Sequence, residues 1–472
     1  MVRNEKNRNS IRTKSILDLW FLIAIMIGAI LFVFIATTRL SHANEIETLL
    51  NKLVEKGVLT GAEAQAVLVE TREEERKKIA QVKHDILPEW IQKTKFQGDF
   101  RLREQYEKRD ATREARWRTR FRLRFGFETK VNDKFLVGFG LASGSSDPRS
   151  TNQTFQDTFS HKGVTIDYAF AQYTPTNWLT LIGGKFKNPL FNFGSDDVVW
   201  DGDINPEGGA AKFNYKLCDQ FSLFTNAGFF VIDENDPNAS SFDSKTGAPV
   251  KDAMGHKNPL MWVIQPGFEW KIKDADYKDI ANLKTAVAYY GYNGVKGAVL
   301  DNTSGTNTLI KNSSPYVKTG VLKYNYSAVS PNFLLGFAPP NFLVPYLGVF
   351  GQYIYNPDPS ENNKGWLAGL MFGDEKVKEK GQWQARYMYR RIETDAIPDI
   401  LPDSDFFGGS TNVKGHKEVF EYGIAKNTSL SATAFQSGII KKLTNKTTSG
   451  SGKNYNGTEN ENLLQLDFNL KF

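Results

Sequence analysis

The chain has 472 residues, one cysteine and a formal charge of +6; residues 1–43 hold six basic and two acidic side chains, which leaves +2 for the remainder. A lone Cys218 excludes intramolecular disulfides and multi-cysteine metal sites, and a nearly neutral remainder gives no bulk-charge basis for nucleic-acid binding. The 39 glycines, 34 phenylalanines, 18 tyrosines and 9 tryptophans suit strands, tight turns and aromatic belts.

Arg3, Lys6, Arg8, Arg12 and Lys14 precede an apolar run from Leu19 to Ala36, and Ser41-His42-Ala43 offers small residues at both specificity positions of a cleavage site. Residues 1–43 are therefore expected to be a signal peptide, cut after Ala43. The run is also long enough for an uncleaved inner-membrane anchor; the character of everything downstream favours cleavage. No later segment is a continuous apolar run of transmembrane-helix length.

Residues 44–92 read as a helical segment. Glu45 to Glu55 forms a short helix ending near Gly57, and Thr60 caps a second with Glu63 as its capping-box partner. Val67, Leu68, Ile79, Val82 and Ile86 recur at loosely helical spacing through the charged stretch Glu70 to Lys83, and Pro88 closes it. A surface helix beside a barrel mouth and a coiled-coil oligomerisation stalk are both open readings. In the periplasm this segment is within reach of cell wall or partner subunits.

From residue 93 the period changes to two. Phe96, Gly98, Phe100 and Leu102 alternate with Gln97, Asp99, Arg101 and Arg103. Next, Arg116, Arg118, Arg120, Arg122 and Arg124 alternate with Trp117, Thr119, Phe121, Leu123 and Phe125. Successive side chains on a strand point to opposite faces, so each set shares one face. On a lipid-facing wall each arginine costs up to ~4 kcal/mol at mid-bilayer; a water-filled lumen accommodates them. Further strands are expected at 135–141, 163–174, 177–187, 210–217, 220–232, 260–273, 281–291, 317–327, 344–355, 364–373, 380–392, 417–425, 428–437 and 461–472. With the first two this makes about 16, an all-β transmembrane antiparallel barrel whose even strand number returns both ends to one side. A soluble β-sandwich also alternates, but one of this length needs two domains, and no linker interrupts residues 93–472.

Gln382, Gln384, Arg386, Met388 and Arg390 alternate with Trp383, Ala385, Tyr387 and Tyr389, and the last strand places Asp467, Asn469 and Lys471 opposite Leu464, Leu466, Phe468 and Leu470. The expected pore-lining arginines are therefore Arg101, Arg103, Arg116, Arg118, Arg120, Arg122, Arg124, Arg386 and Arg390. These are hydrophilic-pore residues, and no aromatic slide marks a dedicated sugar channel. The terminal Phe472, in an alternating last strand, resembles the signal by which outer-membrane barrels are recognised by their assembly machinery.

The chain resembles the putative porin family of outer-membrane barrels over most of the mature sequence. The resemblance is plainest in Gly184-Lys185-Phe186-Lys187-Asn188-Pro189, in Val198-Val199-Trp200-Asp201-Gly202-Asp203-Ile204-Asn205-Pro206-Glu207-Gly208-Gly209, and in Asp403-Ser404-Asp405-Phe406-Phe407 with Thr411-Asn412-Val413-Lys414-Gly415. It implies passive transport of small polar solutes and a homotrimer, as in general porins, and names no solute.

Asp196, Asp197, Asp201, Asp203 and Glu207 lie on Gly- and Pro-broken backbone. One reading is a solvated outer loop with calcium between alternate oxygen ligands, though the spacing is not that of an EF-hand. The other is a constriction loop whose carboxylates face the arginine ladder across the pore. No cofactor or metal is otherwise implied. His161, His256 and His416 sit in expected loops without a nucleophile at defensible spacing, so the chain does not read as an enzyme. The reading is an outer-membrane porin for small hydrophilic solutes, with anion preference from the ladder; the alternative is a non-conducting structural or adhesive barrel.

Overall fold

The computed structural model describes residues 48–86, 88–110, 114–235, 258–276, 279–310, 321–338, 344–441 and 459–472. The export segment and its cleavage point lie outside them. The chain divides between Gln92 and Lys93 into two units. In the first, residues 48–55 are helical, Gly57 turns the chain at φ +68°, and helix α1 (Gly61–Ile86) and the short α2 (Glu89–Gln92) follow. The Glu63 carboxylate accepts the Thr60 backbone N–H at 2.8 Å, and Thr60 Oγ1 accepts the Glu63 N–H at 3.3 Å, which satisfies two orphan donors of a helix start. No described helix is long and apolar enough to cross a membrane.

The second unit is a closed 16-strand antiparallel barrel. Its strands are β1 (Thr94–Arg109), β2 (Arg116–Lys130), β3 (Phe135–Ser143), β4 (Val164–Thr176), β5 (Leu179–Lys185), β6 (Glu207–Lys216), β7 (Phe221–Val231) and β8 (Leu260–Lys273). They continue with β9 (Asp279–Asn293), β10 (Ala328–Phe337), β11 (Tyr346–Tyr355), β12 (Lys364–Gly373), β13 (Trp383–Ile392), β14 (Val413–Ala425), β15 (Thr428–Ile439) and β16 (Asn460–Lys471). Each pairs with the next. β1 closes on β16 from Asp99 opposite Lys471 to Arg109 opposite Glu461, so no edge is left open. Phe472 extends this seam by exchanging backbone hydrogen bonds with Gly98 at 2.8 and 3.0 Å. A Cβ on Gly98 would stand 2.6 Å from the Phe472 ring, so that glycine is what seats the terminal aromatic.

One expected strand is displaced. Residues 317–320 of the run 317–327 lie outside the described residues, and the rest is not a wall strand: Val321–Leu322 makes a two-residue ladder with Leu309–Ile310, and the barrel strand is Ala328–Phe337. Pro331 is the reason the sequence misleads, since Ser330-Pro331-Asn332 reads as a turn. In the barrel the proline points outward, and pairing with β11 lapses at Ser330 and Pro331 between Val329 and Asn332, where a residue without an N–H does least harm.

Connections alternate between short turns at one end and long loops at the other. The long loops 186–206, 294–308 and 393–412 fold inward. Val198 and Val199 are wholly buried, and they join Phe186, Leu190, Trp200, Leu300, Ile397, Phe406 and Phe407 in one apolar cluster with inward side chains of β7 to β15, such as Phe230, Tyr290, Phe350, Leu367 and Met388. One side of the lumen thus carries the apolar cluster of loop and wall side chains; the polar faces of β16, β1 and β2 border the other.

Candidate functional site

The ladder forms as its period demands, and the register of β1 on β2 sharpens the electrostatic problem. Arg101 stands opposite Arg122 and Arg103 opposite Arg120, while Asp99, Gln105 and Glu107 face Arg124, Arg118 and Arg116. Like charges directly opposite destabilise a sheet, so carboxylates have to intervene. Asp467 on β16 binds Arg103 in a fork, Nε to Oδ1 at 2.7 Å and Nη2 to Oδ2 at 2.8 Å, the bidentate geometry favoured by guanidinium. Asp405 from loop 393–412 adds a third contact to Arg103 at 2.9 Å. Asp99 bridges Arg122 and Arg124, both at 2.7 Å, and Asp203 from loop 186–206 reaches Arg124 at 3.2 Å. Glu107 takes Arg118 and Arg109, both at 2.8 Å, and Glu461 takes Arg109 at 2.6 Å. Arg120 has a neutral partner, Gln105, at 3.3 Å. Arg101 donates to Asn152 at 2.6 Å and lies 3.9 Å from Asp467.

The five acidic candidates do not act as one group. Asp203 alone meets the ladder, and it also accepts the Thr151 N–H and hydroxyl. Asp196 crosses to the far wall, holding Arg386 and Lys417 at 2.7 Å each. Burial by itself raises the Asp196 pKa; Arg386 and Lys417 outweigh it and bring the group down to about 2. Asp197 accepts the Val199 and Trp200 N–H groups, an Asx-type turn that shapes the loop. Asp201 receives the Asp203 N–H on one oxygen and the Ser404 N–H on the other, both at 2.8 Å, which ties loop 186–206 to loop 393–412. Burial and the neighbouring Asp403 push Asp201 well above the usual carboxylate range, and burial raises Asp403 as well.

Glu207 belongs elsewhere. It opens β6, exposed, and pairs with Lys185 at 2.9 Å, because the strand starts three residues earlier than its sequence suggests. Arg390 also departs from its expected place. It faces inward but is wholly buried, stacked 3.9 Å over the Phe406 ring and donating to the Asp197 carbonyl; it anchors loops and meets no open lumen. Arg386 keeps partial exposure beside Asp196. The calcium reading fails on the same geometry: among the described residues no group of three or more His, Cys, Asp or Glu could hold a metal ion, and the Asp201 oxygens are committed to backbone N–H groups.

Several residues that shape the lumen were not among the expected site residues. Gln352 on β11 accepts the Val198 N–H at 2.8 Å, Gln265 on β8 bonds both the N–H and the carbonyl of Phe191 at 2.8 Å, and Asn332 on β10 donates to the same carbonyl at 2.9 Å. Trp200 Nε1 donates to the Tyr290 hydroxyl at 3.2 Å. Loop 186–206 therefore spans the lumen from the β8–β11 wall to β2, where its Asp203 meets Arg124. Buried Arg149 donates to Ser304 and to the Asp399 carbonyl, clasping three loops. For Gln265, Asn332 and Gln352 the signal was an amide on the inward face of strands otherwise rich in apolar residues.

Two cavities lie along the ladder. That on the long-loop side, about 1000 Å³, is lined by Arg109, Arg116, Arg118 and Arg120 with Glu107 and Asp405. That on the short-turn side, about 680 Å³, is lined by Arg122 and Arg124 with Asp99, Asp203 and Lys471. Arg101 and Arg103 stand on the ladder between the two stretches, and Asp405 of the first cavity is bound to Arg103.

A closed barrel with an apolar outward face and a charged interior with open cavities is the architecture of an outer-membrane channel. The chain belongs to the family described as "Putative porin", which matches residues 105–327 and 348–472. It is an outer-membrane porin, and family and fold together make it a channel. Among solved structures it is similar to OprB of Pseudomonas putida, at 11% identity over 81% of this chain and 96% of that one, with a TM-score of 0.47. It is also similar to a double mutant of the porin of Rh. blastica, at 12% identity over 80% of this chain and 100% of that one, with a TM-score of 0.40. No curated protein matches the sequence.

Proposed function

We propose that the porin passes small hydrophilic solutes along the side of the lumen bordered by β16, β1 and β2, with a modest preference for anions. The observation that supports this is the pair of cavities sharing one arginine wall. Because Asp99, Glu107, Asp203, Asp405 and Asp467 compensate most of the ladder, the residual field is small and comes chiefly from Arg120 and the exposed Arg116. Glutamate and aspartate fixed beside guanidinium groups also orient dipolar solutes. The working unit is a homotrimer in the outer membrane. Residues 44–92 lie in the periplasm, where cell wall or partner subunits are within reach, and Phe472 serves recognition by the barrel assembly machinery.

Conductance in planar bilayers tests the reading. Stepwise openings in threes support a trimeric pore. A folded barrel that stays silent refutes conduction and leaves a barrel that anchors surface loops, a reading that the loop-packed half of the lumen favours.

A further inference from the structure

Charge is spread unevenly along the long-loop rim of the outward wall. Lys364 is the first residue of β12, Arg391 the last but one of β13 and Lys414 the second of β14. All three are in phase with outward side chains: one ladder row runs from the exposed Trp366 through Arg391 to Lys414. On β5 to β10 the rim is different. Lys185 is taken there by Glu207 at 2.9 Å, and Val231, Leu260, Asn293 and Val329, the outward residues nearest the long loops, are neutral.

Arg391 and Lys414 stand directly opposite each other, and like charges so placed destabilise a sheet. In the lumen carboxylates of the chain intervene; on this arc there are too few. Glu393 lies 3.3 Å from Arg391 and accepts the Lys364 backbone N–H at 3.1 Å. Glu361, the next nearest in sequence, faces Lys441 at 4.0 Å. Lys364 and Lys414 are exposed and make no ion pair among the described residues. Three cations against one carboxylate therefore leave two positive charges for an anion from outside the chain.

The depth of the arc says what that anion is. Each cation stands one outward position beyond a ring: Lys364 beyond Trp366, Arg391 beyond Tyr389, Lys414 beyond His416. Those rings form a belt, with centroids 5.2 Å apart for Trp366 and Tyr389 and 5.0 Å for Tyr389 and His416. Aromatic girdles mark the membrane–water interfaces of a barrel, and long loops lie on the outer side. The cations thus lie at the level of the phosphates of the outer leaflet. Below Trp366 the outward column of β12 continues with Ala368, Leu370 and Phe372, all apolar. We propose that this arc docks a lipid whose headgroup bears phosphate, held by Lys364, Arg391 and Lys414, with its acyl chains along the β12 column. Neighbouring strands are ~5 Å apart, so the three heads converge on one headgroup, and a guanidinium forks phosphate oxygens well. The proposal goes beyond the pore reading and rests only on the outer-membrane placement of the barrel.

Native mass spectrometry of the mature porin, folded in detergent micelles and titrated with lipid A, a glycolipid carrying two phosphates, decides it. The porin should bind lipid A and bind its dephosphorylated form far more weakly; equal binding overturns the proposal. Sodium phosphate at the same concentration should not displace the lipid, because the acyl chains supply the rest of the affinity. Displacement marks a site for free anions and overturns the lipid assignment. A cation at an anionic lipid surface is worth about five-fold in affinity, so Lys364→Gln, Arg391→Gln and Lys414→Gln together should weaken binding about 100-fold. Lys185→Gln with Glu207→Gln, on the far rim, should leave it unchanged. A folded triple variant that binds like the parent, or an equal loss in the far-rim control, overturns the placement. If the triple variant fails to fold, judged by heat-modifiable gel mobility, Lys364→Gln and Lys414→Gln are read singly at their exposed positions, each expected to cost about five-fold; no loss in either overturns it. Lipid-binding barrels that never conduct refute only the pore, and conducting barrels indifferent to the phosphates refute only this site.

Discussion

Arg120→Gln is the substitution that isolates the field of the pore. Arg120 lines the long-loop cavity and is hydrogen-bonded to the neutral Gln105, so its loss breaks no ion pair of the ladder. At ~5 Å a unit charge is worth ~0.8 kcal/mol in bulk water and ~3 kcal/mol at an effective dielectric of 20. A hydrated but walled lumen lies between these limits and nearer the first. A loss of ~1 kcal/mol, about five-fold in the enrichment of a monovalent anion, is the expected scale. Reversal potentials across a salt gradient should shift toward cations at 0.1 M, where screening acts over ~10 Å, and barely at 1 M, where it acts over ~3 Å. Arg103→Gln is the contrasting case. It leaves Asp467 and Asp405 without their buried counter-charge, a situation that costs ~3–5 kcal/mol, so folded yield should fall first. A folded, conducting Arg120→Gln barrel with an unchanged low-salt reversal potential refutes the assignment of Arg120 to the conducting path.

Gln352→Ala leaves the buried Val198 N–H unpaired at ~1–3 kcal/mol, so loop 186–206 should loosen and single-channel conductance should rise with noisier openings; an unchanged conductance counts against a docked loop that borders the conducting path. Gly98→Val should lower the yield of folded barrel as much as deletion of Phe472 if the terminal ring acts by closing the seam, whereas a defect confined to the deletion points to recognition by the assembly machinery. Docking of the two inward loops, followed by protease protection, should be tightest in mild acid. Asp201 and Asp403 are raised, so their contribution is full at low pH and fades as pH rises; Asp196 is lowered, so its contribution is full above the ordinary carboxylate value near 4 and is lost as pH falls through about 2. Protection that grows steadily from mild acid to neutral pH contradicts this. Mass spectrometry of the outer-membrane protein should find Asn44 as the first residue, and a retained Leu19–Ala36 segment overturns cleavage after Ala43.

The wall was legible in the sequence wherever one face had a distinct chemistry. Arg116 to Arg124 and Leu464 to Leu470 announce their faces by strict alternation, and both strands lie within a few residues of where that alternation puts them. Legibility fails where two elements meet. Nothing local distinguishes Ser330-Pro331-Asn332 from a turn, because what tolerates the proline is a gap in the ladder with a strand some twenty residues away. Arg390 and Arg120 share a phase and a residue type, yet one is sealed beneath Phe406 and the other borders a cavity. That difference is made by loop 393–412, whose path no periodicity encodes. The acidic run from Asp196 to Glu207 likewise reads as one cluster, and the fold distributes it among the far wall, a turn, a loop-to-loop tie, the ladder and an exterior strand end.

The pairing of the ladder has a consequence for how selectivity is built. Five bare arginines on one strand would repel one another and draw β1 and β2 apart, so the wall closes only with Asp99, Glu107 and Asp467 placed among them. Those three carboxylates belong to the strands and hold in any state of the loops. Asp203 and Asp405 are different: they arrive from loops 186–206 and 393–412, and each neutralises the ladder only while its loop is docked. Loosening the loops therefore does two things together, widening the path and uncovering positive charge beside Arg103 and Arg124. Gln352→Ala, if its sole effect were steric, would raise anion and cation currents alike. On the present geometry its added current should be disproportionately anionic at low salt, and a purely proportional rise would mean that the ladder's neutrality is set by the strands alone.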